Sequence, residues 1–93
     1  MEIVQKENEN EGAFVALDQE QKMGEMTYSI SKGRWIIDHT GVEPQYRGQS
    51  VGEKLLDALV QEARNKKIEV LPLCPFAAAM FQKKEALRDV LKK

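Results

Sequence analysis

The hydrophobic pattern of this sequence changes once, at Pro44, and that change limits the folds open to the chain. Upstream of Pro44, Met26, Tyr28 and Ile30 alternate with polar residues, which is the pattern of a half-buried strand. Downstream, the pattern predicts an amphipathic helix over residues 49–65. Its apolar residues recur at a spacing of four: Val51, Leu55, Leu59 and Ala63.

The segment before Pro44 is expected to form an antiparallel meander of three or four strands, of which the first is the weakest candidate. Polar turn signals such as Lys32-Gly33 separate the strands. The candidate strands are residues 3–7, 14–17, 26–31 and 34–41.

A short apolar run over 68–73 suits a buried strand after the helix. Pro72 has no N–H to donate, so that end of the strand must be an edge, a bulge or a splay. Because strand–helix–strand crossovers are right-handed, 68–73 should pair in parallel with strand 34–41.

The C-terminal part of the chain is expected to be helical. Pro75 fits the first position of a second helix that runs to about residue 83, and residues 84–91 either continue it or restart it. The fold class is therefore α+β, with a β-meander followed by helix, parallel strand and C-terminal helix.

Composition excludes several classes of function. Ninety-three residues are enough for a single domain, taken as 1–93, with one core. The 14 Lys and Arg against 15 Asp and Glu show no basic surplus, which argues against a dedicated nucleic-acid-binding protein. One cysteine and one histidine can build neither a disulfide framework nor a cysteine-based zinc site, so no metal is expected.

The sequence also bears on the compartment. The first residues, Met1–Glu7, do not resemble a signal peptide, and no run approaches the ~18 apolar residues of a membrane span. We therefore expect a cytoplasmic protein without a membrane partner. The oligomeric state is open, with a monomer as the simpler expectation.

The segment between the last meander strand and the first helix is the most informative for function. At a helix start, backbone N–H groups lack intrahelical partners and the dipole adds positive charge, so an anion can bind there. Gly48 allows the backbone to approach a bound anion closely, and Gly52 leaves the first helical turn without a side chain. Arg47 can add a charged contact to the anion. Ser50 and Glu53 fit a capping box, and an ordinary strand-to-helix turn is the alternative interpretation.

Within that segment, Arg47-Gly48-Gln49-Ser50-Val51-Gly52 resembles the pyrophosphate loop of the GNAT superfamily of N-acetyltransferases, Arg/Gln-x-x-Gly-x-Gly/Ala, and departs from it at Ser50. The preceding Val42–Gly48 is also similar to that family. Leu71–Ala78 and the pair His39-Thr40 resemble a small single-core branch, the YjdJ/NATD-like subfamily. The resemblance covers roughly residues 10–92.

The resemblance implies a GNAT-like α/β arrangement in which strands 34–41 and 68–73 splay apart and the pantetheine arm of acetyl-CoA lies between them. The cofactor-binding residues that it implies are Thr40, Gly41, Val42, Tyr46, Arg47, Gly48, Gln49, Ser50, Val51, Gly52, Phe76, Ala77 and Phe81. Basic side chains that either contact the 3′-phosphate or lie in solvent are Lys83, Lys84 and Arg88.

Catalytic residues are harder to assign, because the tyrosine that protonates the leaving thiolate in many GNAT enzymes is missing from 76–81. Cys74 and His39 remain as candidates. Cys74 precedes a helix and can act as nucleophile or thiol acid, with His39 as base, if the two approach one another. The alternatives are a small buried cysteine and a hydrogen-bonded strand histidine.

Three functions follow from these residues. The leading one is transfer of an acetyl group from acetyl-CoA to a primary amine. A non-catalytic module that binds CoA or acyl-CoA is the first alternative, and a protein-interaction domain that binds no cofactor is the second. The acceptor leaves no mark in the sequence.

Overall fold

The computed structural model describes residues 1–92 and contains a five-stranded sheet in the order β1-β2-β3-β4-β5. Neighbouring strands run antiparallel except β4 and β5, which are parallel, so the predicted meander and crossover are both confirmed. The strands are β1 Glu2–Glu7, β2 Glu11–Asp18, β3 Gln21–Ser31, β4 Arg34–Val42 and β5 Glu69–Pro72.

Two α-helices follow the predicted order. They are α1, Val51–Lys66, and α2, Pro75–Lys83. The segment after α2 neither continues nor restarts an α-helix, because Glu85–Val90 forms tighter 3₁₀ turns. A single 3₁₀ turn, Pro44–Tyr46, leads from β4 into the loop before α1.

The predicted capping box at the start of α1 is wrong. Ser50 adopts left-handed backbone angles (φ 60°, ψ 31°), which turn its side chain away from the N–H groups of the first turn. Throughout residues 1–92, no side chain caps the α1 N-terminus. The helix therefore begins at Val51 rather than at residue 49, with its first N–H groups left available.

Both helices pack on one face of the sheet. Tyr28 and its cross-strand partner Ile37 face the helices and are fully buried, whereas Thr27 and His39 lie on the opposite face. We call that opposite face the outer face. The aromatic centre of the core is formed by Trp35, Tyr28 and Phe14, with ring centroids 4.4–6.0 Å apart.

Tyr28 lies across β2, and this placement requires a glycine beneath it. A side chain at Gly12 would overlap the Tyr28 ring. The phenol hydroxyl accepts a hydrogen bond from Gln5 Nε2 (2.7 Å) and donates one to Glu7 Oε1 (3.0 Å). Burial, and secondarily Glu7, raises the pKa of Tyr28 to about 12.

The C-terminal segment covers the far edge of β5. Val70 forms a parallel bridge with Leu91, and the Lys92 N–H donates to the Val70 carbonyl (3.0 Å). Arg64 of α1 fastens the segment through a bidentate pair with Asp89 (2.8 and 2.7 Å). Across residues 1–92, none of the helices is long and apolar enough to cross a membrane.

Candidate functional site

The two parallel strands pair over a short stretch and then separate. Pairing runs from Arg34 opposite Glu69 to Ile37 opposite Pro72. The Ile37 carbonyl then accepts the N–H groups of both Leu73 (3.1 Å) and Cys74 (3.0 Å), which turns the chain away from β4. We call the space beyond this point the β4–β5 gap.

A bulge in β4 lies at the mouth of the gap. Thr27 pairs with His39 and Tyr28 pairs with Ile37, so Asp38 is an extra residue on β4. β4 continues to Val42 beyond its last pair with β5, so within the described residues its backbone from Thr40 onward has no partner strand on that side. The predicted splay between strands 34–41 and 68–73 is therefore present.

The loop before α1 forms a candidate anion site at the end of this gap. Gly48 has a φ of +86°, a conformation that glycine adopts without strain, and it brings the backbone round to the helix start. The uncapped N–H groups of Val51, Gly52 and Glu53 point outward with the positive end of the helix dipole. Arg47 is exposed on the same loop and adds a full positive charge.

A cavity of about 410 Å³ joins the gap to this helix start. We call it the loop cavity. Nine of the predicted cofactor-binding residues line it, together with Glu53. The lining is Thr40, Val42, Tyr46, Arg47, Gly48, Ser50, Val51, Gly52, Glu53 and Phe76. A groove with uncapped amides, a bare backbone and an arginine fits the pyrophosphate and pantetheine of acetyl-CoA.

Gly52 is required for packing between the two helix starts. A side-chain carbon at this position would lie 2.8 Å from Cζ of Phe76, whose ring rests on the first turn of α1. Phe76 keeps 37% of its surface exposed and forms a wall of the loop cavity. Gly52 was expected to leave the first turn of α1 without a side chain so that a ligand can approach. The structure adds a second reason, because the Phe76 ring occupies the space that a side chain would need.

The other two predicted wall residues of α2 are placed differently. Ala77 and Phe81 are buried in the core cluster, 0% and 3% exposed, rather than in the lining of the loop cavity. The reason is helical geometry: three- and four-residue spacings put Ala77 and Phe81 on the core face, whereas Phe76 lies one residue round the helix. Gly41 and Gln49 also lie outside that lining, and Gln49 is exposed.

Cys74 lies on the helix side of the gap. It is 5% exposed, and its thiol donates to Thr40 Oγ1 at 3.3 Å. Thr40 shares the helix-side face with Met26, its cross-strand partner. The sequence predicted Thr40 as a backbone contact only, so its hydroxyl partner in Cys74 was missed, since residues 34 positions apart carry no local signal.

His39 does not approach Cys74, which corrects the expected direct pair. Successive strand residues face opposite sides, so His39 projects from the outer face while Thr40 projects toward the helices. The exposed imidazole extends along β4, with Nε2 3.1 Å from the position of a side-chain carbon built at Gly41. Both candidates still border the gap, one on each side of the sheet.

The flanking charged groups are mostly engaged within the protein. Lys84 pairs with Glu53 (3.5 Å), and Arg88 donates to the carbonyls of Phe81 and Gln82. Tyr46 donates to Asp18 (3.3 Å); partial burial and the neighbouring carboxylate raise the pKa of this phenol. Glu53 was not predicted as a site residue, although its position in the first turn of α1 was available from the sequence.

Comparisons with known proteins agree with this geometry. A sequence profile of the GCN5-related N-acetyl-transferase family matches residues 13–90. A GCN5-like candidate N-acetyltransferase from Staphylococcus aureus, solved by NMR, is 36% identical with a TM-score of 0.71, over 98% of this chain and 87% of that one. No curated protein sequence matches significantly.

More distant structures share the fold. A ribosomal-protein-alanine N-acetyltransferase from Brucella melitensis is 16% identical (TM-score 0.68), over 82% of this chain and 62% of that one. A candidate streptothricin acetyltransferase from Bacillus anthracis, solved with acetyl coenzyme A, is 21% identical (TM-score 0.62), over 82% of this chain and 46% of that one. This chain thus spans less than two thirds of both enzymes.

The family profile covers most of the chain, and the S. aureus relative is similar over almost all of it. Together with the separated strands and the uncapped helix start, these matches show that the chain belongs to the GCN5-related N-acetyltransferase family, as an acetyl-CoA-dependent transferase.

Proposed function

We propose that this protein transfers the acetyl group of acetyl-CoA to a primary amine that approaches from the outer face of the sheet. The observation that carries the proposal is the β4–β5 gap, which opens between Cys74 on the helix side and His39 on the outer side. The loop cavity would hold the pyrophosphate and pantetheine, and the thioester would lie in the gap.

The residues around the gap suit the two halves of the reaction. The neutral amine forms the C–N bond as the C–S bond breaks, and CoA leaves as a thiolate that must gain a proton. His39 would accept the proton that the attacking amine loses. Cys74, whose thiol is a hydrogen-bond donor in this structure, would protonate the departing thiolate. Backbone N–H groups along residues 40–42 would stabilise the oxyanion.

The outer face also favours a class of acceptor. Asp38 is exposed beside the gap and its carboxylate is held by the Ser29 hydroxyl at 2.6 Å, which places a fixed negative charge there. Leu73 is 62% exposed immediately before Cys74, next to the half-buried Leu71. An amine on an apolar stem, such as a lysine side chain, matches this combination. It would arrive as the cation and release one proton to solvent before the neutral form attacks.

The proposal also covers the domain extent, the compartment and the branch of the family. We propose that one domain, 1–93, carries the whole site, that the protein acts in the cytoplasm, and that it belongs to the small single-core branch of the family. The support for that branch is the His39-Thr40 pair and the Leu71–Ala78 segment, whose Cys74 and Thr40 meet at the gap.

The test combines acetyl-CoA binding with turnover on two probes, a lysine-containing peptide amide and glycine amide. We expect CoA release to be faster with the lysine probe, and His39→Gln and Cys74→Ser to lower kcat by at least about tenfold. Both variants should keep the wild-type Kd for acetyl-CoA. Glu69→Gln, an outer-face carboxylate paired with Arg34 away from the gap, is the matched control.

Each alternative has its own result. Tight acetyl-CoA binding without turnover on either probe would support the non-catalytic CoA-binding module. An acetyl group found on Cys74 by mass spectrometry would replace the acid role with a nucleophilic one. Binding of acetyl-CoA is to be monitored through the amide chemical shifts of residues 40–52. If these shifts show no saturable binding, the proposal as a whole is overturned.

A further inference from the structure

The free edge of the sheet is β1, at the side opposite the acetyl-CoA site. Sheet order places β1 outermost, with β2 as its partner in the part of the chain that the structure describes. At the other side, β5 is shielded by Leu91 and Lys92. An unpaired edge presents a row of backbone N–H and C=O groups that can receive another strand.

The register shows which backbone groups this edge presents. The Asn8 N–H donates to the Glu11 carbonyl (2.9 Å), which makes this a hydrogen-bonded pair at the end of the β1–β2 ladder. Such pairs alternate along an antiparallel ladder, so residues 2, 4 and 6 bond to β2. The N–H and C=O groups of Ile3, Gln5 and Glu7 therefore point outward from the sheet.

The side chains of β1 are complementary to those of β1 in a second copy of the chain when the two strands pair in one particular register. If a second β1 runs antiparallel with Val4 opposite Val4, Ile3 stands opposite Gln5, and these are the residues whose backbone groups point outward. In the same register Glu2 stands opposite Lys6 at both ends. The side chains of Glu2, Val4 and Lys6 lie on the outer face, whereas those of Ile3 and Gln5 face the helices. Centring on Gln5 instead pairs Lys6 with Val4 and loses both charge pairs.

The surface beside β1 is also incompletely filled. A groove of about 370 Å³ runs between β1 and α1, lined by Ile3, Gln5, Phe14, Ala58, Gln61 and Glu62. Ile3 is half-buried there, although it packs against the core cluster. A second copy placed by the register above would keep its helices on the same side and bring its own groove against this one.

We propose that β1 pairs with β1 of a second copy of this chain, forming a two-fold dimer with one continuous sheet. The dyad passes between the two Val4 residues, perpendicular to the sheet. The β4–β5 gap of each copy stays at the outer end, so acetyl-CoA binding does not depend on association. The contact is small, and its charge pairs are exposed, so the dimer is weak and salt-sensitive.

A charge exchange tests this interface without disturbing the fold, because Glu2 and Lys6 are both exposed. Glu2→Lys sets like charges opposite Lys6 of the copy, and Lys6→Glu does the same opposite Glu2. We expect each variant alone to raise the dimer Kd by about tenfold or more, measured by sedimentation equilibrium from micromolar to millimolar protein. The double variant should regain the wild-type Kd.

An equimolar mixture of the two single variants is the decisive arm, since their charges are complementary only across a heterodimer. Association in that mixture, with amides of Ile3 and Gln5 protected from exchange at high protein concentration, would support the interface. A monomer up to millimolar concentration would overturn it. A dimer whose Kd is unchanged by Glu2→Lys and by Lys6→Glu would also overturn it. So would a loss of association in the single variants that is restored in neither the double variant nor the mixture. Wild-type acetyl-CoA Kd values in all variants would verify folding.

Discussion

At the residue scale, much of this site depends on positions where a side chain is excluded. Gly52 accommodates the Phe76 ring, Gly48 turns the loop, and Gly12 accommodates Tyr28. Gly12 and Gly52 let an aromatic ring lie closer to the backbone than an alanine would allow. Gly48 has open space around it and is required instead for its positive φ of +86°.

The Gly52–Phe76 contact gives a direct prediction. Gly52→Ala should leave helix stability unchanged or raise it by up to about 1 kcal/mol, because alanine is the better helix former. The added methyl must displace the Phe76 ring, so we expect acetyl-CoA to bind about tenfold more weakly, measured by calorimetry. In a Phe76→Ala background the same change should cost little. Equal losses in both backgrounds would contradict this explanation.

Tyr28 gives a prediction for alkaline pH. Its pKa is raised to about 12 in the folded protein, so the folded state holds the phenol proton more tightly than the unfolded chain, where the pKa is about 10. The stabilisation is complete below pH 10 and is lost as the pH rises toward 12. Urea unfolding should therefore show stability falling across that window, and Tyr28→Phe should flatten the dependence. The pKa of Tyr46 is also raised, but this phenol lies on the surface loop, so we expect Tyr46→Phe to flatten the dependence less than Tyr28→Phe does.

At the scale of elements, the start of α1 is the functional end of the helix. Its uncapped amides and dipole favour an anion, yet Glu53 puts a carboxylate in the lining of the same cavity. Lys84, at the end of α2, pairs with that carboxylate at 3.5 Å. The two helices thus cooperate, because a charge from α2 offsets a charge on α1 that would repel the phosphates of CoA.

Removing this offset should weaken cofactor binding. We expect Lys84→Ala to raise the Kd for acetyl-CoA about two- to fivefold, a range typical of an exposed ion pair, with a smaller effect at high salt. Glu53→Gln should lower the Kd or suppress the effect of Lys84→Ala when the two are combined. Lys83→Ala, one residue away, is the control for the loss of a nearby positive charge. An equal effect from Lys83→Ala would indicate bulk electrostatics instead of the pair.

At the scale of the whole molecule, the C-terminal segment holds the fold together from outside the sheet. It covers the β5 edge through Val70 and is attached to α1 by Arg64 and Asp89. The segment thus lies on the edge of β5 that faces away from β4, so β5 has a backbone neighbour on both sides.

The Arg64–Asp89 pair makes a prediction about acid stability. Arg64 holds the pKa of Asp89 below its usual range, so the pair stabilises the fold above the ordinary carboxyl pKa and loses that effect as the pH falls through the folded value. Asp89→Asn should lower the midpoint of thermal unfolding near neutral pH and make little difference in strong acid. A difference that persisted in acid would show that the amide disturbs packing. Glu20→Gln, which removes an exposed carboxylate in the turn between β2 and β3, is the control.

The order and type of the elements could be predicted from local sequence patterns. Hydrophobic spacing is a local property, and it located α1, β5 and α2 to within a few residues of their observed bounds. The glycines and arginine of the loop likewise pointed to this helix start as the candidate anion site, because the motif is contiguous. The capping box failed because the backbone angles of Ser50 depend on how the loop returns from β4.

Which side chains meet depends on strand register and helix packing, which local patterns do not reveal. The bulge at Asp38 shifts the register of β4, and that shift, invisible in the spacing, puts Thr40 rather than His39 beside Cys74. Packing of α2 on the sheet, likewise, assigns Phe76 to the cavity and sends Ala77 and Phe81 into the core. Local pattern specifies elements because it acts through neighbouring residues, whereas a site brings distant residues together and depends on register and packing.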